Sequence, residues 1–137
     1  MTGQVSTRVV VNDDGATSTR HRTVLALNWD DSDPLAVRIV LSTEPDHPSL
    51  PRGEWVMLRD FLRYGCTEPT GDGAVRVRPE SNDRILLALQ DDTKTFEVRV
   101  PAITITGFLD ETERGVPTGR EAGEEVLDEL IRRLLDR

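Results

Sequence analysis

The stretch from Val75 to Val100, VRVRPESNDRILLALQDDTKTFEVRV, decides the fold class of this chain. It contains three runs rich in Val, Ile and Leu, at Val75–Arg78, Ile85–Leu89 and Phe96–Val100, and short polar turns separate them. Runs of this length and spacing predict neighbouring strands that pair in antiparallel order. We therefore expect a three-stranded antiparallel meander.

Four further strands are predicted upstream of the meander. Val5–Val11 and Arg22–Trp29 are rich in β-branched residues, and the turn-forming run Asn12–Gly15 lies between them. This pattern is typical of a hairpin. Apolar residues alternate along Leu35–Leu41, and Trp55–Met57 is a shorter run. These two stretches are predicted as the third and fourth strands.

A short helix is predicted between the two β regions. Leu58, Phe61 and Leu62 lie at helical spacing. Gly65 follows them and supplies the residue type that most often ends a helix. The segment Glu68–Gly73 is predicted to be a loop that leads into the meander.

A longer helix is predicted directly after the meander. Pro101 suits the first turn of a helix, since its missing N–H is not needed there. Ile105, Phe108 and Leu109 then fall on one face. The β-branched stretch from Ile103 to Thr106 leaves a strand as the alternative.

The last helix is predicted from a capping box, in which Glu121 follows Thr118 by three residues. Beyond it one apolar stripe recurs at helical spacing, formed by Val126, Leu127, Leu130, Ile131, Leu134 and Leu135. The whole pattern predicts an α+β fold with about seven antiparallel strands, one short helix after the fourth strand and two C-terminal helices. We expect residues 1–137 to form a single domain.

Composition and charge restrict the classes of function. Hydrophobic residues make up 36% of the chain and charged residues 31%, which is typical of a globular protein with a charged surface. The net charge of -8 opposes binding to nucleic acid, which requires a basic surface, and so protein partners are favoured. The sequence shows no membrane-span pattern and no secretion-signal pattern, and a cytoplasmic protein is expected.

The sequence contains no motif that is typical of a catalytic or metal site. Cys66 lies far in sequence from His21 and His47, so these three residues do not have metal-ligand spacing. An unreactive, partly buried thiol is favoured for Cys66 over a catalytic one. Around the serines the sequence does not form a strand-turn-helix elbow of the kind that positions a nucleophile. We expect no catalytic or metal site.

Two short motifs resemble ligand loops only in part. The acidic run Asp30–Asp33 lacks the central Gly and distal Glu of a calcium loop, and a capped turn is favoured. Gly71 and Gly73 are followed neither by a third Gly nor by the Lys-Ser/Thr pair of a phosphate loop, and a flexible turn is favoured. No cofactor is expected.

A basic stripe is the one candidate for binding a ligand. Arg76, Arg78, Arg84 and Arg99 fall on the meander, where alternate positions share a face, and they could contact a nucleic-acid backbone. The favoured alternative is a solvated sheet face with Glu97 as cross-strand partner. Aromatic residues could stack on bases, but core packing is favoured for them. They are Trp29, Trp55, Phe61, Tyr64, Phe96 and Phe108.

Three stretches of the chain resemble the SsgA-like sporulation and cell-division proteins of actinobacteria. The first, WDDSDPLAV at Trp29–Val37, is similar to the family's aromatic-Asp-x-x-Asp-Pro-Tyr-Ala-Val segment through Asp30, Asp33 and Pro34. The second matches in order and spacing at Trp55, Val56, Arg59, Asp60, Leu62, Gly65, Pro69, Gly71, Gly73, Val75, Val77 and Pro79. The third comprises Phe108, Leu109, Val116, Pro117, Gly119 and Glu121.

The resemblance implies a function and a fold. SsgA-like proteins act without catalysis in sporulation-specific septation, where they help to position the division GTPase FtsZ at the septum. FtsZ and other SsgA-like division proteins are therefore the implied partners, and the SsgB-like group is favoured within the family. The implied fold is similar to that of the whirly single-strand binders, which makes a single-stranded nucleic-acid-binding protein the alternative function.

The resemblance also implies a homotrimer. Sheets built from short strands leave unpaired edges, and joining subunits is one way to protect them. The stripe of the last helix, with Leu127, Leu130, Ile131 and Leu134, could cover its own sheet or that of a neighbouring subunit. Both placements stay open from the sequence.

Overall fold

The computed structural model of the chain describes residues 3–11, 22–44 and 50–119. Within these ranges the chain forms eight strands and two helices, arranged as two four-stranded sheets. Every described strand pair is antiparallel. The predicted α+β class is confirmed.

The first sheet contains β1 (Gln4–Val10), β2 (Arg22–Asp30), β3 (Ala36–Glu44) and β4 (Gly53–Leu58), in that order. Its strands form because apolar and polar residues alternate, and so one face of each strand can be buried. In β3 the odd-numbered positions from residue 37 to residue 43 are buried. These four strands were predicted from the sequence, with bounds that differ by a few residues.

The second sheet contains β5 (Thr70–Asp72), β6 (Val75–Glu80), β7 (Arg84–Gln90) and β8 (Thr95–Pro101), again in chain order. The last three strands are the predicted meander. Strand β5 corrects the prediction of a loop over Glu68–Gly73.

Strand β5 forms because its backbone pairs with the first half of β6. Thr70 lies opposite Val77, and Asp72 lies opposite Val75. Gly73 closes the turn between the two strands with φ of +60°, a conformation that L side chains rarely adopt. The glycines lower strand propensity, and a prediction from local pattern therefore assigned a loop.

Helix α1 (Arg59–Gly65) follows β4, and helix α2 (Ala102–Gly115) follows β8. Both helices were predicted, and the strand alternative within α2 is wrong. In α2, Thr106 directs its hydroxyl to the carbonyl oxygen of Ala102 at 3.1 Å, and so this β-branched residue is accommodated in a helix. The last predicted helix, with Leu127, Leu130, Ile131 and Leu134, lies outside the described residues.

The inner faces of both sheets contribute to one hydrophobic core, together with Leu62 of α1 and Leu109 of α2. Trp55 links the sheets directly. Its indole Nε1 donates to the carbonyl oxygen of Gln90 at 2.8 Å. Its ring also meets Phe96 edge-on, with centroids 6.3 Å apart. The opposite faces of the two sheets contain most of the exposed strand positions, although Val24 and Leu86 on those faces are buried.

Candidate functional site

The acidic stretch after β2 forms a capped turn. The Asp30 carboxylate accepts from the backbone N–H of Ser32 at 2.8 Å and from the side-chain amide of Gln4 at 3.1 Å. These hydrogen bonds, that from the Ser32 backbone first, hold the pKa of Asp30 below its ordinary value. The backbone N–H of Asp33 donates to the carbonyl oxygen of Asp30 at 3.0 Å and closes the turn.

The turn is anchored to the core through Trp29. The indole Nε1 of Trp29 donates to the carbonyl oxygen of Pro34 at 3.0 Å, and the Trp29 side chain is 3% exposed. The guanidinium of Arg59 lies over the Trp29 ring, with 5.7 Å between its carbon and the ring centroid. A cation in this position is attracted by the face of the ring.

Arg59 continues the chain of contacts to α2. It is 2% exposed, and its Nη1 donates to the Thr112 hydroxyl at 3.3 Å. Thr112 in turn donates to the carbonyl oxygen of Leu109 at 2.6 Å. We name Trp29, Arg59 and Thr112 the buried junction, because they join the first sheet, α1 and α2. A buried guanidinium with these contacts positions the secondary structure elements rather than a ligand.

Helix α1 contains two further motif residues with different surroundings. Asp60 is exposed in the first turn, where a carboxylate interacts favourably with the helix dipole. Gly65 is buried at the end of the helix, and an added Cβ there would lie 2.4 Å from Cβ of Val77. Only glycine therefore fits the approach of α1 to β6.

The remaining motif residues lie in strands and loops. Pro69 is exposed before β5, Gly71 lies in β5, and Pro79 pairs with Ile85 near the end of β6. Beyond α2, Pro117 and Gly119 are exposed, and Gly119 has φ of +91°. Glu121 lies outside the described residues. The motif residues that the structure describes thus do not converge on one cleft.

The four candidate arginines do share one surface. Register places Arg78 of β6 in line with Leu86 of β7 and Arg99 of β8. Arg76 and Arg84 fall on the same side by alternation along β6 and β7. We name this outer face of the second sheet the arginine face.

The carboxylate that pairs on the arginine face is Glu80. Its Oε1 lies 2.8 Å from Nε of Arg99, and its Oε2 lies 3.5 Å from Nη2 of Arg78. Glu97 is instead aligned with Arg76 across Ala88, two strand spacings away. The expectation that Glu97 supplies the partner is therefore wrong, since among the described residues Arg78 and Arg99 pair with Glu80.

Most of the aromatic side chains pack in the core, as predicted. Trp29, Trp55 and Phe108 are buried, while Phe61 and Phe96 pack against the core from partly buried positions. The prediction is wrong for Tyr64, which is 63% exposed on α1. Among the described strands of the second sheet, the arginine face contains no aromatic side chain.

Cys66 follows α1 and is partly buried. Its thiol donates to the carbonyl oxygen of Leu62 at 3.4 Å. Burial raises the pKa of the Cys66 thiol, and the protonated form is favoured. His21 and His47 lie outside the described residues. In the described part of the chain, no three His, Cys, Asp or Glu side chains are grouped as metal ligands.

The helices found in residues 3–11, 22–44 and 50–119 include none with the length and apolar character to span a lipid bilayer.

The profile of a protein family matches residues 24–121, and the family is described as Streptomyces sporulation and cell division protein, SsgA. The chain belongs to the SsgA family. The matched range contains all three stretches on which the resemblance was based, from Trp29 to Glu121. The predicted family is confirmed.

Several SsgA-family relatives are named sporulation-specific cell division protein SsgB. That of Streptomyces coelicolor is 32% identical over 112 residues, or 80% of this chain and 79% of the relative. That of Salinispora tropica is 33% identical over 138 residues, or 96% of this chain and 90% of the relative. That of Kineococcus radiotolerans is 39% identical over 87 residues, which span 60% of this chain but only about half, 53%, of the relative.

Solved structures of the SsgA family share the fold. A structure from work on SsgB mutations that correlate to longitudinal cell division during sporulation of Streptomyces coelicolor has a TM-score of 0.71 at 28% identity. The match covers 88% of this chain and 94% of that one. An SsgA-like sporulation-specific cell division protein from Thermobifida fusca has a TM-score of 0.70 at 23% identity, covering 96% and 94%, and shows the fold alone.

Proposed function

We propose that this protein is a non-enzymatic scaffold of sporulation-specific septation that acts through protein–protein contacts. The observation that carries the proposal is the match of the SsgA family to residues 24–121, supported by relatives named sporulation-specific cell division protein. Within this function we propose that it recruits or positions FtsZ, together with other SsgA-like proteins, at the septum in the cytoplasm.

The surroundings of the motif residues support a scaffold. Asp30 caps a turn, Arg59 is buried against Trp29, and Gly65 allows α1 to approach β6. These residues therefore shape the fold. Partner contacts then fall to the exposed surfaces that this fold presents.

The septation role predicts where the protein is found. A fluorescent fusion in a sporulating actinobacterial host is expected to coincide with FtsZ at nascent septa, and the fusion is expected to retain FtsZ in a pull-down. A protein of similar net charge, -8, is the matched control for unspecific electrostatic capture. Absence of septal enrichment while FtsZ rings form would contradict the proposal.

The four arginines on one sheet face favour a second candidate function, binding of single-stranded nucleic acid. The net charge of -8 and the pairing of Arg99 with Glu80 weigh against it. Fluorescence anisotropy with a labelled oligonucleotide at low salt tests this function directly.

We further propose a homotrimer. Strands β1, β4, β5 and β8 end the two described sheets, and each has one edge without a partner strand among the described residues. Light scattering is expected to give three times the chain mass of 15.3 kDa. Changing Leu130 and Leu134 to Glu should disrupt folding or assembly. A wild-type protein that remains a stable monomer at micromolar concentration would refute the trimer.

A further inference from the structure

A trough runs along the arginine face. Its floor is formed by Leu86 and Ala88, the outward residues in the middle of β7. Long side chains of the flanking strands form its two sides, Arg76 and Arg78 on β6 and Glu97 on β8. The sides are about 10 Å apart, which is two strand spacings. Together with the part that Pro69, Thr70 and Gly71 line beyond β6, this open trough has a volume of about 440 Å³.

The charge of the trough is opposite to that of the chain. The arginine face carries four guanidinium groups and two carboxylates, Glu80 and Glu97, so its formal charge is 4 − 2 = +2, against −8 for the whole chain. An acidic segment is therefore attracted to this face and repelled by the protein as a whole. This contrast orients an acidic partner as it approaches.

Two of the arginines are available for a ligand. Arg76 is exposed and makes no ion pair with the described residues. Arg78 is 55% exposed, and its contact with Glu80 is long, at 3.5 Å. A guanidinium group binds a carboxylate through two parallel N–H···O bonds, and two exposed guanidinium groups on one strand match carboxylates on an extended chain.

We propose that this trough binds an extended acidic peptide segment of a protein partner. Carboxylates of the segment pair with Arg76 and Arg78, and an apolar side chain rests on Ala88 and the aliphatic arms of the arginines. This inference deepens the proposed function and rests on it for the kind of partner. It gives the scaffold a surface that recognises a protein.

The same trough is a poor match for nucleic acid. Proteins that bind single strands stack bases on aromatic side chains, and the arginine face has no aromatic side chain in the described strands. Glu80 and Glu97 place carboxylates beside the arginines and repel phosphates.

The test uses the purified full chain and three labelled probes at low salt. The first is a peptide of about ten residues, extended to about 33 Å, with one Leu flanked by Asp and Glu. The second has Asn and Gln in place of the acidic residues, and the third is an oligo-dT strand. By fluorescence anisotropy, we expect the acidic peptide to bind at least about tenfold more tightly than either of the others.

Variants locate the binding surface. Combined Arg76→Glu and Arg78→Glu should weaken binding of the acidic peptide at least about tenfold. Arg38→Glu, half of that charge change at an exposed position of β3 in the first sheet, should change it less than about twofold. Arg76→Gln removes no ion pair with a described residue and is the milder second variant, expected to weaken binding about threefold.

Three results would overturn the proposal. They are equal binding of the neutral peptide, equal weakening by Arg38→Glu, and tighter binding of oligo-dT, which would assign the trough to nucleic acid. Septal localisation separates this inference from the proposed function. If the protein localises to septa but the peptide does not bind, only the assignment of the trough as a peptide-binding surface is wrong. If the peptide binds but localisation is absent, the septation role is wrong.

Discussion

Replacing Arg59 by Ala is expected to lower the free energy of unfolding by about 3 kcal/mol or more. The side chain is 2% exposed, and so its removal is expected to leave a cavity beside Trp29 that the surrounding residues fill only in part. The substitution also removes the guanidinium from the ring, where it lies 5.7 Å from the centroid, and leaves the Thr112 hydroxyl without its donor. Urea unfolding followed by Trp fluorescence measures the loss.

Arg63→Ala is the matched control for Arg59, because both arginines lie on α1. Arg63 pairs with Asp110 at 3.0 Å, but both side chains are exposed. An ion pair of this kind contributes about 0 to 1 kcal/mol. Thr112→Val keeps the shape of the buried junction and should cost about 1 to 2 kcal/mol. Equal losses for Arg59→Ala and Arg63→Ala would show that the buried junction does not stabilise the fold.

Gly65→Ala is expected to destabilise the protein by about 2 kcal/mol, although Ala is the better helix former. The new Cβ would lie 2.4 Å from both Cβ and Cγ1 of Val77. Since Cβ of Val77 is attached directly to the backbone of β6, no side-chain rotation relieves the overlap, and α1 must move from the sheet. Thermal unfolding detects the change as a lower Tm.

Gly107→Ala is the control that separates helix propensity from packing. Gly107 is exposed in the interior of α2, and no heavy atom lies within 4 Å of an added Cβ. There the substitution should stabilise the protein by about 0.5 to 1 kcal/mol. The two glycines should thus respond with opposite signs. A rise in Tm for both variants would contradict the close packing of α1 on β6.

Periodicity predicted the elements whose local pattern and tertiary surroundings agree. The meander, α2 and the turn after β2 belong to this group, because their alternating or helical patterns already separate buried from exposed positions. Strand β5 could not be predicted in this way. Its three residues have weak strand propensity and become a strand only by pairing with β6.

Contacts between residues that are distant in sequence could not be predicted either, because they form only when the elements pack together. Arg59 and Thr112 are 53 residues apart, and nothing in the local pattern around Thr112 indicates a buried hydroxyl that receives a guanidinium N–H. The choice of Glu80 over Glu97 as the partner of Arg99 also depends on register and side-chain reach. Core packing was favoured for Tyr64 together with the other aromatic residues, yet the helix turns it outward.

The amino-acid sequence by itself determined the family, the α+β class and a set of four arginines that could share a surface, since each follows from residue type and spacing along the chain. Only the tertiary structure decided what these residues do. It placed Arg59 in the core and Arg76 in solvent, although both are arginines. The physical reason is that burial and ion pairing depend on distances through space, which are set when the sheets and helices pack together.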